Sequence, residues 1–232
     1  MTEKTNTKIV NFWIRTIYKL IINRTAKKVL TGRLRSIDDA EVGRFTKEDS
    51  KLILRDTWGR YDEISGSVPN EVNLGGRINI LLACLTLCTF RSLVDQGIER
   101  SYAVALVADI TWNAYRKWGK IAILIGRSLT RDKTRQLQIA VGSFLKFPFS
   151  PPTYQIESLP NSEGIDLRVT RCPIEEYFDK NDATDLCRES WCNLDFALAE
   201  MWGAILERDR TLALGFKFCD FKFKTKSKYS DN

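Results

Sequence analysis

The sequence predicts an α+β fold, in which a helical N-terminal two thirds packs on a small antiparallel β-sheet with a short helix in the C-terminal third. Three observations lead to this prediction. Apolar residues recur at helical spacing up to about residue 147, Pro148, Pro151 and Pro152 then interrupt the pattern, and an alternation of period two follows. With 232 residues, of which 44% are hydrophobic, the chain can bury a full core without disulfides or metals.

The first predicted helix, over residues 8–22, is amphipathic and basic. Lys8, Arg15 and Lys19 share one stripe, and apolar residues such as Ile14 and Ile17 face the other way. Such a helix can lie on a membrane. We favour packing on its own domain or on a second subunit, and a homodimer through this helix is compatible with the sequence.

More helices are expected before the proline boundary. Thr46, followed by Glu48 and Asp49, predicts the N-cap and acidic first turn of a helix that ends before Gly66. The further helical segments are residues 75–96, 101–118 and 121–147, the last of them broken near Thr130.

After the boundary the pattern predicts strands over residues 154–158, 165–170, 204–211 and 214–223, and a helix over 193–202. The alternation slips phase at Cys219-Asp220, which indicates a β-bulge. Lysines alternate in the last strand and beyond it, an arrangement that protects an edge strand from foreign pairing. These lysines are Lys222, Lys224, Lys226 and Lys228.

We divide the chain into a basic N-terminal helix or arm (1–35), a helical part (36–150) and a cysteine-rich α+β part (151–232), with 36–232 forming one compact unit. The net charge of +7 sits at the two ends: residues 1–35 hold nine Lys and Arg against Glu3 alone, whereas the body is mildly acidic. A nucleic-acid binder would more often carry its basic residues on the central folded face, so we expect no nucleic acid as a partner.

The sequence contains no histidine. This excludes Ser-His-Asp and Cys-His nucleophile pairs, and it excludes zinc sites that use histidine. The longest apolar run, Ile78 to Phe90, is shorter than the roughly 20 residues that a membrane span requires. We therefore expect a cytoplasmic protein that does not contact a membrane.

Four of the six cysteines fall in the C-terminal third: Cys172, Cys187, Cys192 and Cys219. Three interpretations remain open. Structural zinc usually takes two tight cysteine pairs, and only Cys187 and Cys192 approach that spacing. Disulfides suit a secreted protein. Buried thiols with one reactive member suit a cytosolic enzyme.

Short motifs in a fixed order give the chain a resemblance to a known family. They are Gly75-Gly76-Arg77-Ile78-Asn79, Arg171-Cys172-Pro173, Cys192-Asn193-Leu194-Asp195, and Thr211 to Gly215 followed by Cys219-Asp220-Phe221. Over residues 45–223 the chain resembles the L-2-amino-thiazoline-4-carboxylic acid hydrolase family. Its Gly-x-x-x-Cys-x-Phe ending is also similar to small-ligand-binding domains of the vinyl-reductase type. A non-catalytic binding or sensor domain, or a Cys-ligated metal protein, is therefore an alternative.

The resemblance implies a hydrolase that opens a C–N bond of a small cyclic amidine-like, carboxylate-bearing substrate, of the aminothiazoline-carboxylate type, toward an N-carbamoyl amino acid. Without histidine, a Cys thiolate would attack the amidine carbon and an Asp would move the proton. Cys172 is the preferred nucleophile, with Cys192 and Cys219 as alternatives. Asp195 and Asp220 are the candidate acid/base groups.

Arg77, Asn79 and Arg171 are the candidate substrate-binding residues, because an arginine can bind a carboxylate through two hydrogen bonds. A solvated surface charge is the alternative for both arginines. Asp195 could instead be an early-helix carboxylate that faces the helix dipole, and Asp220 could instead make a bulge hydrogen bond. We expect a small-molecule substrate as the partner, no cofactor and no metal.

Overall fold

The computed structural model describes residues 2–34, 45–161 and 164–226, with side chains from residue 8 onward. It confirms the α+β prediction, because helices dominate the N-terminal part and pack on a four-stranded antiparallel sheet. The helices are α1 (Thr2–Trp13), α2 (Lys19–Leu30), α3 (Lys47–Ile64), α4 (Leu74–Asp95), α5 (Arg100–Leu129), α6 (Lys133–Lys146), α7 (Pro173–Asp179), α8 (Thr184–Cys187) and α9 (Leu194–Met201). The strands are β1 (Gln155–Leu159), β2 (Gly164–Arg171), β3 (Ala204–Glu207) and β4 (Cys219–Thr225).

The N-terminal helix is longer than the sequence pattern predicts, since a π-helical turn (Ile14–Tyr18) joins α1 to α2. Its buried face packs on its own domain, and the Tyr61 hydroxyl donates a hydrogen bond of 2.7 Å to Asn11 Oδ1. Ile17, expected on the buried face, is exposed instead. The π-helical turn shifts the phase of the apolar stripe, which explains the difference.

Helix α4 forms the centre of the helical part. Asn73 caps it by accepting a hydrogen bond of 2.7 Å from the Gly76 amide, and most of its side chains are buried. The helix is long and apolar enough to cross a membrane, but 72% of its most apolar window is buried inside the fold, as in a core helix.

Helix α5 is continuous through residues 119–120, where the sequence had suggested two segments. The break at Thr130 lies where it was predicted. Gly126 allows α6 to pack closely on α5, because a Cβ at this position would stand 2.8 Å from the carbonyl oxygen of Gln136. This pair of helices forms one wall of the C-terminal core.

The strand order is β1-β2-β4-β3, so β4 is a central strand. The expectation of a lysine-protected edge strand is therefore wrong for Lys222, Lys224 and Lys226, which lie in or beside β4. Lys228 and the 35/36 boundary lie outside the described residues. The expected bulge is also absent from the described sheet at Cys219-Asp220, since these residues pair regularly with β2; the register irregularity lies between Gln155 and Ile156.

Two elements differ from the expected strand pattern near the end of the chain. Residues 212–214 form a 3₁₀ turn that ends at Gly215, which has a φ of 82°, so β4 starts at Cys219 instead of Leu214. Between β2 and α9 the chain folds into α7, α8 and a π-helical turn (Arg188–Cys192), none of which the pattern predicted. These short elements place the cysteines described next.

Candidate active site

A cavity of about 140 Å³ lies between the inner face of the sheet and helices α6 and α9. Its walls are mostly apolar, with aromatic rings from Phe144, Phe149 and Trp191 among them. Asp195 and Arg208 are the charged residues in its lining, and four cysteines complete it: Cys172, Cys187, Cys192 and Cys219. A mostly apolar pocket with a few convergent polar groups is the usual form of a small-molecule site.

Cys172 follows the last residue of β2 and is the N-cap residue of α7, where Pro173 occupies the first turn. Burial raises the pKa of its thiol well above the usual range. Hydrogen bonds from the backbone of Glu175 and Ile174 act in the opposite direction but are outweighed. The thiol is therefore protonated at neutral pH, and a base is needed to activate it.

Cys219 opens β4, opposite Val169 of β2. Burial raises the pKa of its thiol to about 12, and the Leu212 amide, which donates to Sγ at 3.3 Å, opposes this. The positive charge of Arg208 lowers the pKa and the negative charge of Asp195 raises it. Cys219 thus interacts electrostatically with both charged residues of the cavity.

Cys187 and Cys192 lie at the two ends of the π-helical turn, with their sulfur atoms 4.0 Å apart. This exceeds a disulfide bond length, and all six cysteines of the chain are free thiols in the structure. The disulfide interpretation therefore has no support in this conformation. A hydrogen bond with Cys192, together with burial, raises the pKa of the Cys187 thiol.

Asp195 lies in the first turn of α9 and accepts a hydrogen bond of 2.8 Å from Arg208 Nη1. Burial raises the pKa of its carboxyl group to about 6, although the charge and hydrogen bond of Arg208 lower it. A carboxyl group with this pKa is mostly ionised at neutral pH and is still able to take up a proton. It therefore suits acid/base work better than a surface carboxylate does.

Sequence reasoning missed Arg208. Its side chain is 3% exposed, its Nη1 also donates to the Cys192 carbonyl at 3.0 Å, and its guanidinium lies 4.8 Å from the ring centre of Phe196 and 5.2 Å from that of Phe221. Its Nε has no hydrogen-bond partner among the described residues. The signal was the alternation Ala204, Leu206, Arg208, which places an arginine at the next inward position after β3.

The predicted substrate-binding residues are not in the cavity lining. Arg77 donates from Nε to the Glu71 carbonyl at 2.6 Å and from Nη2 to the Val72 carbonyl at 3.2 Å. Arg171 forms ion pairs with the carboxylates of Glu71 at 3.2 Å and Glu176 at 3.0 Å. Both guanidinium groups thus bind residues of the loop before α4. We had predicted either substrate binding or a solvated surface charge for these arginines, and neither describes this arrangement.

Asn79 lies behind the cavity. Its Nδ2 donates a hydrogen bond of 2.8 Å to the hydroxyl of Tyr154, and Tyr154 lines the cavity. Asp220 is outside the lining and accepts a hydrogen bond of 2.7 Å from the Arg210 amide, which is close to the backbone role that we gave as its alternative. The structure thus gathers Cys172, Cys192, Cys219 and Asp195 around one cavity.

The metal interpretation finds no geometric support. In the part of the chain that the structure describes, no group of three or more Cys, Asp or Glu residues is arranged to hold a metal ion. The four cavity cysteines lie in the walls of one pocket but do not form such a group.

The fold and the cavity together define an α+β domain with a small, thiol-lined internal pocket that carries one ion pair. Residues 109–223, just under half of the chain, match the family model of L-2-amino-thiazoline-4-carboxylic acid hydrolase. The match contains the Arg171, Cys192 and Cys219 motifs and confirms the family resemblance there, but it does not reach the Gly75 motif. No curated protein and no solved structure matches the chain.

Proposed function

We propose that the chain is a hydrolase that opens a small cyclic amidine-like, carboxylate-bearing substrate of the aminothiazoline-carboxylate type in this cavity. One observation carries the proposal: the family motifs bring three thiols and Asp195, whose pKa is about 6, to the same small pocket as a buried arginine. The pocket thus offers a nucleophile, a base and an anion-binding group together.

The substrate carboxylate binds Arg208 in this proposal. Arg208 is the cationic residue in the cavity lining, and stacking between Phe196 and Phe221 holds its planar group in place. A carboxylate bound there adds a second negative charge beside Asp195. It therefore raises the proton affinity of Asp195 and makes it a stronger base.

Cys219 is the nucleophile that the electrostatics favour, ahead of Cys172 and Cys192. Besides Cys192, the charges of Arg208 and Asp195 act on the pKa of Cys219, whereas the ionisable groups that raise the pKa of Cys172 are other thiols. Asp195 takes the proton of the thiol as Sγ attacks the carbon between the two nitrogens. The neutral resting thiol is then activated only when substrate is present.

The balance of bonds identifies the ring bond that opens. An N-carbamoyl product keeps both nitrogens on the attacked carbon, so an aminothiazoline ring must release its sulfur, and the C–S bond breaks. Asp195 returns its proton to that sulfur. Water then adds to the carbon and the bond to the cysteine Sγ breaks. One proton of the water restores the Sγ thiol, and the other ends on the ring nitrogen. If the exocyclic C–N bond broke instead, ammonia would appear, and if the ring C–N bond broke, the α-amino group would be freed with release of neither thiol nor ammonia.

The test is an assay of L-2-amino-thiazoline-4-carboxylate hydrolysis that follows released thiol and ammonia separately. We expect thiol release by the wild type and a large loss in Cys219→Ser. The variants Cys172→Ser and Cys192→Ser are compared under the same conditions, with Cys88→Ser in the helical core as the control. Full activity in all three cavity variants would rule out the thiol mechanism and leave a water molecule activated by Asp195.

A binding or sensor role is the second candidate function. It is favoured by the mostly apolar walls and by the raised pKa values of Cys172 and Cys219, which keep both thiols unreactive at rest. This role predicts a small molecule that co-purifies in a one-to-one ratio and stays chemically unchanged during incubation. Mass spectrometry of the denatured protein and its released ligand distinguishes the two candidates.

A further inference from the structure

A second, open groove of about 380 Å³ lies on the helical side of the molecule; it shares Phe144 with the thiol cavity but has no cysteine in its lining. Its lining includes Trp13 of α1, then Trp118, Ile121 and Ile125 of α5, and Phe147 after α6. Between 44% and 51% of the surface of the last four side chains is exposed. We call these five residues the groove face.

Helix geometry extends the groove face along both helices. Ile9 stands four residues before Trp13 on α1, and Leu129 stands four residues after Ile125 on α5, so each lies on the same side of its helix. Both are more than half exposed. The fold therefore leaves two apolar helix stripes unpartnered beside an apolar groove, which is characteristic of an interaction surface.

The charges that flank this face have one sign. Lys117 is exposed on α5 next to the apolar stripe, Lys120 and Arg127 are exposed on the same side beyond Leu124, and no acidic residue occurs between positions 110 and 131. Within the described residues none of these three side chains forms an ion pair. Lys8 is likewise exposed beside Ile9 on α1.

We propose that the groove face docks on an anionic lipid membrane surface. Exposed Trp, Ile and Leu side chains would enter the interface between head groups and acyl chains, and the flanking lysines and arginine would contact negatively charged head groups. A second copy of the chain fits less well. A two-fold interface would set this basic face against itself and bring like charges together.

The proposal goes against our sequence-based expectation that the protein does not contact a membrane, which considered the N-terminal helix and the apolar run from Ile78 to Phe90 but not α5. The basic stripe of α5 can be recognised only when the structure shows which side chains of this helix are exposed. Docking of this kind is peripheral, because the apolar stripe lies along the surface and α4, the helix long enough to span a bilayer, is buried.

The test is co-sedimentation of the full chain with vesicles of equal parts phosphatidylserine and phosphatidylcholine, compared with pure phosphatidylcholine. We expect binding to the anionic vesicles that weakens with salt. Lys117→Gln/Lys120→Gln should lower the partition coefficient about fivefold per lysine. The control Lys217→Gln/Lys222→Gln removes the same charge from exposed positions near and in β4 and should leave binding unchanged.

Ile121→Glu/Ile125→Glu tests the apolar contribution and should abolish vesicle binding, while Ile205→Glu on β3 should not. Light scattering after size-exclusion chromatography measures the mass of the particle and so tests the alternative that the face binds a second copy. A dimer that Ile121→Glu/Ile125→Glu dissociates, with no wild-type binding to anionic vesicles, would assign the face to a second copy and overturn the proposal. Equal binding by the lysine variant and its control would overturn it as well.

Discussion

Arg208 is a buried cation with an unused hydrogen-bond donor, because its Nε has no partner among the described residues. In Arg208→Gln we expect KM for the carboxylate substrate to rise about 10- to 100-fold, because a hydrogen-bonded ion pair is lost. Arg208→Lys should recover only part of the loss, since lysine lacks the planar group that stacks between the two phenylalanines. Steady-state kinetics measure both effects.

The control for this prediction is Arg210→Gln, which removes an exposed guanidinium two residues away. The carboxamide analogue of the substrate is a second control, because its binding should respond little to Arg208→Gln. An unchanged KM for the carboxylate in Arg208→Gln would contradict the assignment of Arg208 as the anion-binding residue.

The sequence could predict part of this site. Motif order singled out Cys172, Cys192, Cys219 and Asp195, and the cavity contains all four. Arg208 was not predicted as a site residue. It follows a four-residue strand in the run Glu207-Arg208-Asp209-Arg210, and such a charged run suggests a solvated turn. The alternation with Ala204 and Leu206 was the contrary signal, and the fold shows that the side chain is buried.

Arg77 and Arg171, predicted to bind substrate, lie outside the cavity lining. A motif identifies an arginine but not its hydrogen-bond partners, and both guanidinium groups here are occupied by Glu71 and its neighbours. Glu71 lies in a loop, and the contact between Glu71 and Arg171 spans 100 residues of sequence. Local patterns contain no information on such a pairing.

At the scale of elements, the contact between α5 and α6 supports the wall behind the cavity. Gly126→Ala should destabilise the fold by about 1–3 kcal/mol, because the new Cβ would stand 2.8 Å from a backbone oxygen of α6 that cannot move alone. The midpoint and slope of urea unfolding measure the change.

Gly142→Ala in α6 is the matched control. A Cβ at this position meets nothing within 4 Å, so the substitution should stabilise the fold by up to about 1 kcal/mol through helix propensity. Equal effects of the two substitutions would show that the close approach of α5 and α6 does not limit packing.

Long helices and the two alternating strands after the proline boundary could be predicted, because their periodicity runs over many residues. The short elements could not. Helix α7 has seven residues and α8 has four, which is too short for a helical period to emerge from the sequence. The place of β4 in the centre of the sheet depends on strand order, which the lysine alternation alone does not reveal.

At the scale of the whole molecule, the helical core and the sheet core are not separate. Phe149 and Ile156 pack against both, and both residues also line the thiol cavity. We therefore expect one cooperative urea transition, with the same midpoint by far-ultraviolet circular dichroism and by tryptophan fluorescence. Two separated transitions would show that the helical and cysteine-rich parts unfold independently.

The most direct test of the account is the pH dependence of kcat/KM for L-2-amino-thiazoline-4-carboxylate in the wild type and in Asp195→Asn. In the proposed mechanism Asp195 is the base in its ionised form, so the wild-type value should rise as the pH increases through about 6, the pKa of this carboxyl group, and then level off. Asp195→Asn should lose about 100- to 10,000-fold and show no step near that pH. Glu200→Gln, on the same helix but exposed, should keep the wild-type profile. An Asp195→Asn variant with wild-type activity and the same pH profile would show that the reaction does not depend on this cavity's carboxylate.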